Sequence, residues 1–129
     1  LYGRQTFYGG AEDWGYRISY GFRTGNDYRT GDGFTIPSSY KSGDLNVALG
    51  KSFSDDDRLE FNYLRLDQAD VEFPGLVYDI NDLETDGYEL KYTHTNPGYC
   101  DFLFAEIWYN RTNFDGDTFR PSKLAQIPQ

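Results

Sequence analysis

Trp14-Gly15-Tyr16-Arg17-Ile18-Ser19-Tyr20-Gly21-Phe22-Arg23 decides the fold. Its large apolar residues, Trp14, Tyr16, Ile18, Tyr20 and Phe22, stand at every second position, with glycine, serine and arginine between them. On a helix these five side chains would scatter around the circumference, whereas on a strand they share one face. The segment therefore predicts a β-strand with one greasy side and one polar, cationic side. The same alternation recurs in Leu45, Val47, Leu49 and Phe53, with Lys51 as an exception on the apolar side. It returns in Leu59, Phe61 and Tyr63, and again in Tyr88, Leu90 and Tyr92. Leu103, Ala105, Ile107 and Tyr109 form a further set, blurred by Phe102, Phe104 and Trp108 on the other face. Tyr2 to Tyr8 is a weaker candidate with mixed faces. The sum is roughly six strands of the 9–11-residue class and no convincing helix.

The links between these strands alternate in length. Gly9 to Asp13, the Ser54-Asp55-Asp56-Asp57 run and the Asn96-Pro97-Gly98 turn are short, while Thr24 to Ser42 and Asp67 to about Thr85 are long. Long links at every second connection project from one end of a sheet whose other end is closed by tight turns. Tyrosine and tryptophan lie towards the strand ends of the apolar face, and the polar face carries Arg17, Arg23, Glu60, Glu89 and Lys91. Rim aromatics around an apolar band, a charged interior, and short turns opposite long loops describe the wall of an outer-membrane barrel. The expected fold is all-β: an antiparallel up-and-down meander forming a fragment of a large transmembrane β-barrel.

Composition narrows the function. The chain has 129 residues and a formal net charge of −9, which disfavours nucleic acid, a partner that requires concentrated positive surface. Mean hydropathy is −0.72, as expected where interior face and loops are both polar. No apolar run is long enough for a spanning helix, and no signal-peptide pattern opens the sequence. Cys100 and His94 are single, so neither an internal disulfide nor a cysteine zinc cluster is expected, and Ser-His-Asp chemistry has little support. Asp27, Asp32, Asp55 to Asp57, Asp115 and Asp117 offer hard oxygen ligands, but no stretch matches a calcium loop, and the triple-Asp run suits a turn. Gly31-Asp32-Gly33 lacks the lysine and helix of a phosphate loop, and Asn110-Arg111-Thr112 is a short sequon common by chance. No enzyme, resident metal or cofactor is expected.

The stretch Glu12 to Gly21, followed by Gly25-Asn26-Asp27-Tyr28-Arg29, resembles an early barrel hairpin of a TonB-dependent outer-membrane receptor. Phe53 to Tyr63 has the same look. Asn26 to Gly33, Ile36 to Lys41 and Phe73-Pro74-Gly75 are similar to loops of the haem and haemoglobin receptor branch. The resemblance implies a barrel of about 22 strands with an N-terminal plug, driven by a periplasmic energy-coupling protein. It implies location in the outer membrane of a Gram-negative-type bacterium. On that basis residues 1–129 are expected to be the N-terminal part of the barrel, with plug and remaining strands outside this chain. Outer-membrane lipid, those missing parts and a nutrient such as an iron chelate or haem are the expected partners.

Within that frame, Asp27, Tyr28, Arg29 and Tyr40 in one long loop, and Phe73 and Tyr78 in the other, are candidate ligand contacts. Tyrosine gives a large contact area with a hydrogen-bonding tip at low entropic cost. The same rings could instead pack on each other to order the loops. Arg17, Arg23, Glu60, Glu89 and Lys91 are expected to face the lumen, either steering a ligand or pairing with neighbouring strands. His94 falls near a short turn, away from the long-loop end where external haem would be met. The competing expectation is a soluble all-β binding module, a carbohydrate- or protein-binding sandwich using its loop tyrosines, in which the apolar faces meet in a dry core.

Overall fold

The computed structural model describes residues 1–96, 98, 100–119 and 121. Eight strands follow one another: β1 (Tyr2–Ala11), β2 (Trp14–Gly25), β3 (Tyr28–Arg29), β4 (Thr35–Ile36), β5 (Tyr40–Ser52), β6 (Asp57–Val71), β7 (Asp79–Asn96) and β8 (Cys100–Asp117). Six of them form one antiparallel sheet in the order β1-β2-β5-β6-β7-β8, and β3 pairs with β4 in a small hairpin of its own. Each strand of the large sheet hydrogen-bonds to the one before it in the meander, as the sequence predicts.

The register assigns every side chain to a face, because directly opposed residues point the same way. Ile18 faces Val47, Val47 faces Tyr63, Tyr63 faces Tyr88 and Tyr88 faces Tyr109. The neighbouring row towards the short turns runs Tyr16, Leu49, Phe61, Leu90 and Ile107. One continuous apolar face results. Among the described residues no second layer covers it: Ile80 is the one buried apolar side chain, while Ile18, Leu49, Leu90 and Ile107 are exposed. The dry core that a soluble sandwich requires is not formed by these residues.

Three expectations need correction. β1, with 10 residues, keeps to the 9–11-residue class, but the other strands of the large sheet are longer, with 15 residues in β6 and 18 each in β7 and β8. The second long link is accordingly confined to residues 72–78, and the first to residues 26–39 with the β3–β4 hairpin inside it. The reason lies in cross-strand charge. Beyond the Tyr63–Tyr88–Tyr109 row the same face carries Arg65, Asp67, Glu84 and Asp86. Arg65 bonds Asp67 at 2.8 Å and Glu84 at 2.8 Å, and lies 3.6 Å from Asp86. Ion pairs hold this part of the ladder together, so it continues with no apolar periodicity to advertise it. Links still alternate: residues 12–13 and 53–56 are short, and both longer loops lie at the opposite end. The turn expected at Asn96-Pro97-Gly98 falls partly outside the described residues. The polar tail expected after Phe114 is strand as far as Asp117, and residues 120 and 122–129 lie outside the described residues.

Candidate functional site

The polar face holds a hydrogen-bonded lattice. Arg4 on β1 reaches across Gly21 on β2 to Asp44 on β5, with Nη2 2.7 Å from Oδ2. Asn46 donates to the same carboxylate at 3.2 Å, and the hydroxyls of Thr6 and Ser19 meet at 2.8 Å. Further along the sheet Asn62 donates to Glu89 at 2.8 Å, Lys91 pairs with Glu89 at 3.0 Å, and Arg58 with Glu60 at 3.2 Å. Arg23 stands over the Tyr2 ring, 5.8 Å from its centroid. The five polar residues singled out from sequence, Arg17, Arg23, Glu60, Glu89 and Lys91, all fall on this face by register.

The centre of the face is hollowed. Two adjacent rows cross it: Arg17, Ala48, Asn62, Glu89 and Trp108, then Ser19, Asn46, Leu64, Gly87 and Asn110. Small residues in mid-row, Ala48 and Gly87, leave a hollow of about 330 Å³. Trp108 and Asn110 line it, and sequence reasoning missed both. Their signal was the bulky apolar pattern on both faces of β8, which hides the polar face instead of announcing it.

At the long-loop end, the β3–β4 hairpin exposes Tyr28 and Arg29. Asp27 shapes its base by accepting the Ser38 backbone N–H at 3.2 Å, while Ser38 Oγ accepts that of Tyr28 at 2.8 Å. Tyr40 opens β5 with its ring against Gly25. In the other loop, Phe73 donates its backbone N–H to the fully buried Asp79 at 3.0 Å. Tyr78 stacks on Phe114 at 5.8 Å, so that ring orders its own loop. Glu72 links the two loops: its carboxylate accepts from Ser39 Oγ at 2.8 Å, and its N–H donates to the Ser39 carbonyl at 2.9 Å. The two candidate sets are thereby held at one end of the sheet.

At the opposite end, Ser54 Oγ accepts the N–H groups of Asp56 and Asp57 at 3.2 and 3.1 Å, so the triple-Asp run is turn chemistry. His94 lies in β7 at this short-turn end, with Nδ1 2.8 Å from Asp57 Oδ1. Lys51, the cation on the apolar face, is answered by Asp13 from the β1–β2 turn. That hydrogen bond holds the Asp13 carboxyl below the usual carboxylate range. No group of three or more His, Cys, Asp or Glu side chains among the described residues could hold a metal ion.

No family model and no curated protein matches the sequence. A solved structure does match in three dimensions, with a TM-score of 0.77 and 23% identity over 88% of this chain. That structure is copper transporter OprC. The chain spans 18% of the length of OprC. At this identity the likeness to OprC carries the fold: an all-β antiparallel meander of the barrel-wall type. It selects no haem branch.

Proposed function

We propose that the chain forms wall and outer loops of an outer-membrane ligand-uptake receptor. In this reading Tyr16, Ile18, Tyr20, Leu45, Val47, Leu49, Phe61 and Leu90 touch lipid, and Arg17, Arg23, Glu60, Glu89 and Lys91 face a wet lumen. The loops at 26–39 and 72–78, with Tyr40 at the start of β5, lie outside the cell and offer Asp27, Tyr28, Arg29, Tyr40, Phe73 and Tyr78 as contacts for an iron chelate, haem or similar nutrient. Transport is conformational, through a plug drawn from the periplasmic side by an energy-coupling protein, and no bond in the ligand is made or broken.

One observation carries this: the apolar face is uncovered, and at a row of three tyrosines it gives way to charge on the same face. Tyr63 and Tyr88 have ring centroids 5.0 Å apart, and Tyr88 and Tyr109 6.3 Å. Tyrosine rings with an apolar body and polar tip suit the depth at which hydrocarbon meets headgroups. A soluble binding module would need a second layer over that face. Copper, the cargo in the neighbour's name, prefers soft donors. This chain holds no methionine, one cysteine and one histidine, a thin supply for such a site.

Orientation is the test. In Gram-negative cells making the protein, with Cys100→Ser as background, Asp32→Cys in the long loop should react with a membrane-impermeant maleimide on intact cells. Asp55→Cys in the short turn should react only after the outer membrane is permeabilised. Labelling of Asp55→Cys but not Asp32→Cys on intact cells, or of both equally, contradicts the proposal.

A further inference from the structure

We infer that the hollow on the polar face is a binding subsite for a neutral sugar. The inference rests on the reading of that face as wet, and deepens it by naming a ligand class. Three features combine. Trp108 presents a ring that is 68% exposed at the mouth of the hollow, beside the polar groups that line it. A pyranose has a matching surface, with axial C–H groups forming a flat apolar patch inside a rim of hydroxyls.

The second feature is unused hydrogen-bonding capacity. Among the described residues, neither the Asn110 amide nor the Arg17 guanidinium has a side-chain partner, although both line the hollow. Asn62 spends one N–H on Glu89 and keeps its carbonyl oxygen available. Amides offer donor and acceptor side by side, which fits vicinal hydroxyls. Gly87 keeps the floor open: a Cβ there would stand 2.9 Å from Asn110 Oδ1 and push that amide away.

The third feature is charge. The hollow sets Arg17 against Glu106, while Glu89 is already paired with Lys91, so its charges nearly balance and a neutral ligand fits without a counter-ion. The row from Arg17 to Trp108 spans four strand spacings of about 4.8 Å, which gives room for a short oligosaccharide along the wall.

The test uses the full chain in zwitterionic micelles that contain no sugar headgroup, with Trp14→Phe so that emission reports Trp108 alone. Maltotriose, cellotriose and chitotriose are titrated in turn, with inorganic phosphate as the anionic probe. A saturable change with at least one sugar is expected, weakened tenfold or more by Asn110→Ala and by Arg17→Ala. A saturable response to phosphate alone, or sugar affinity unchanged in both variants, overturns the inference. So does the lack of any sugar response while aqueous acrylamide still quenches Trp108, an outcome that leaves the barrel reading standing. If Trp108 is shielded from acrylamide, the wet-face reading fails together with the subsite.

Discussion

Glycine at position 10 shows how closely the first hairpin is drawn. A Cβ at Gly10 would stand 2.3 Å from the Trp14 carbonyl oxygen and 2.9 Å from the Gly15 Cα, both backbone atoms that cannot swing aside. Gly10→Ala therefore forces β1 away from β2 and should cost about 1–3 kcal/mol. Gly3→Ala on the same strand meets nothing within 4 Å and should change stability by less than about 1 kcal/mol. Urea unfolding in micelles, followed by the β-sheet circular dichroism signal, compares the two. Equal effects would mean that the hairpin is looser than its geometry. Lys51 is a different kind of residue-scale feature. It sits on the apolar face beside Trp14, but near the short-turn rim, where Asp13 can reach it. A cation at that rim extends its charge to the headgroups, so it does not violate the pattern of the face.

At the scale of the element, sequence pattern revealed strands as far as the apolar band extends and no further. β2 was legible as far as Arg23 because Trp14 to Phe22 alternate without a break, and only its last two residues read as loop. The outer parts of β6 and β7 were not, because Arg65, Asp67, Glu84 and Asp86 put charge where the alternation had been apolar, and charged runs read as loop. Their pairing depends on partners many residues away, information that no local window contains. The β3–β4 hairpin, two residues per strand, is too short to show a period. The loop candidates were legible as a set, since loop tyrosines stand out, but the partner of Tyr78 on β8 was not. The two faces of a strand differ in what they tolerate. Val47→Arg places a charge within the apolar face and should cost about 2–4 kcal/mol if that face meets hydrocarbon. Asn46→Arg, one residue away on the polar face and next to Asp44, should cost less than about 1 kcal/mol. Unfolding in lipid vesicles measures the difference. Similar costs at the two positions would contradict the sidedness of β5.

At the scale of the whole molecule, the six-stranded sheet has two faces of opposite character and, among the described residues, no interior of its own. Its stability must come from the ladder, the polar lattice and whatever medium covers the apolar side. β1 and β8 each leave one edge unpaired among the described residues, and each such edge is a row of backbone donors and acceptors open to pairing with a further strand. The two tryptophans happen to divide the faces between them. Trp14 lies on the apolar face, stacked on Tyr16 with ring centroids 5.9 Å apart, and Trp108 lies on the polar face across from Glu89. The decisive measurement is tryptophan quenching with the chain in bilayers, using Trp108→Phe and Trp14→Phe to isolate each indole. Lipids brominated near the head of the acyl chain should quench Trp14 strongly and Trp108 weakly, while aqueous acrylamide should do the reverse. Quenching of Trp14 by acrylamide but not by brominated lipid would show that water or protein, and not hydrocarbon, lies against the apolar face.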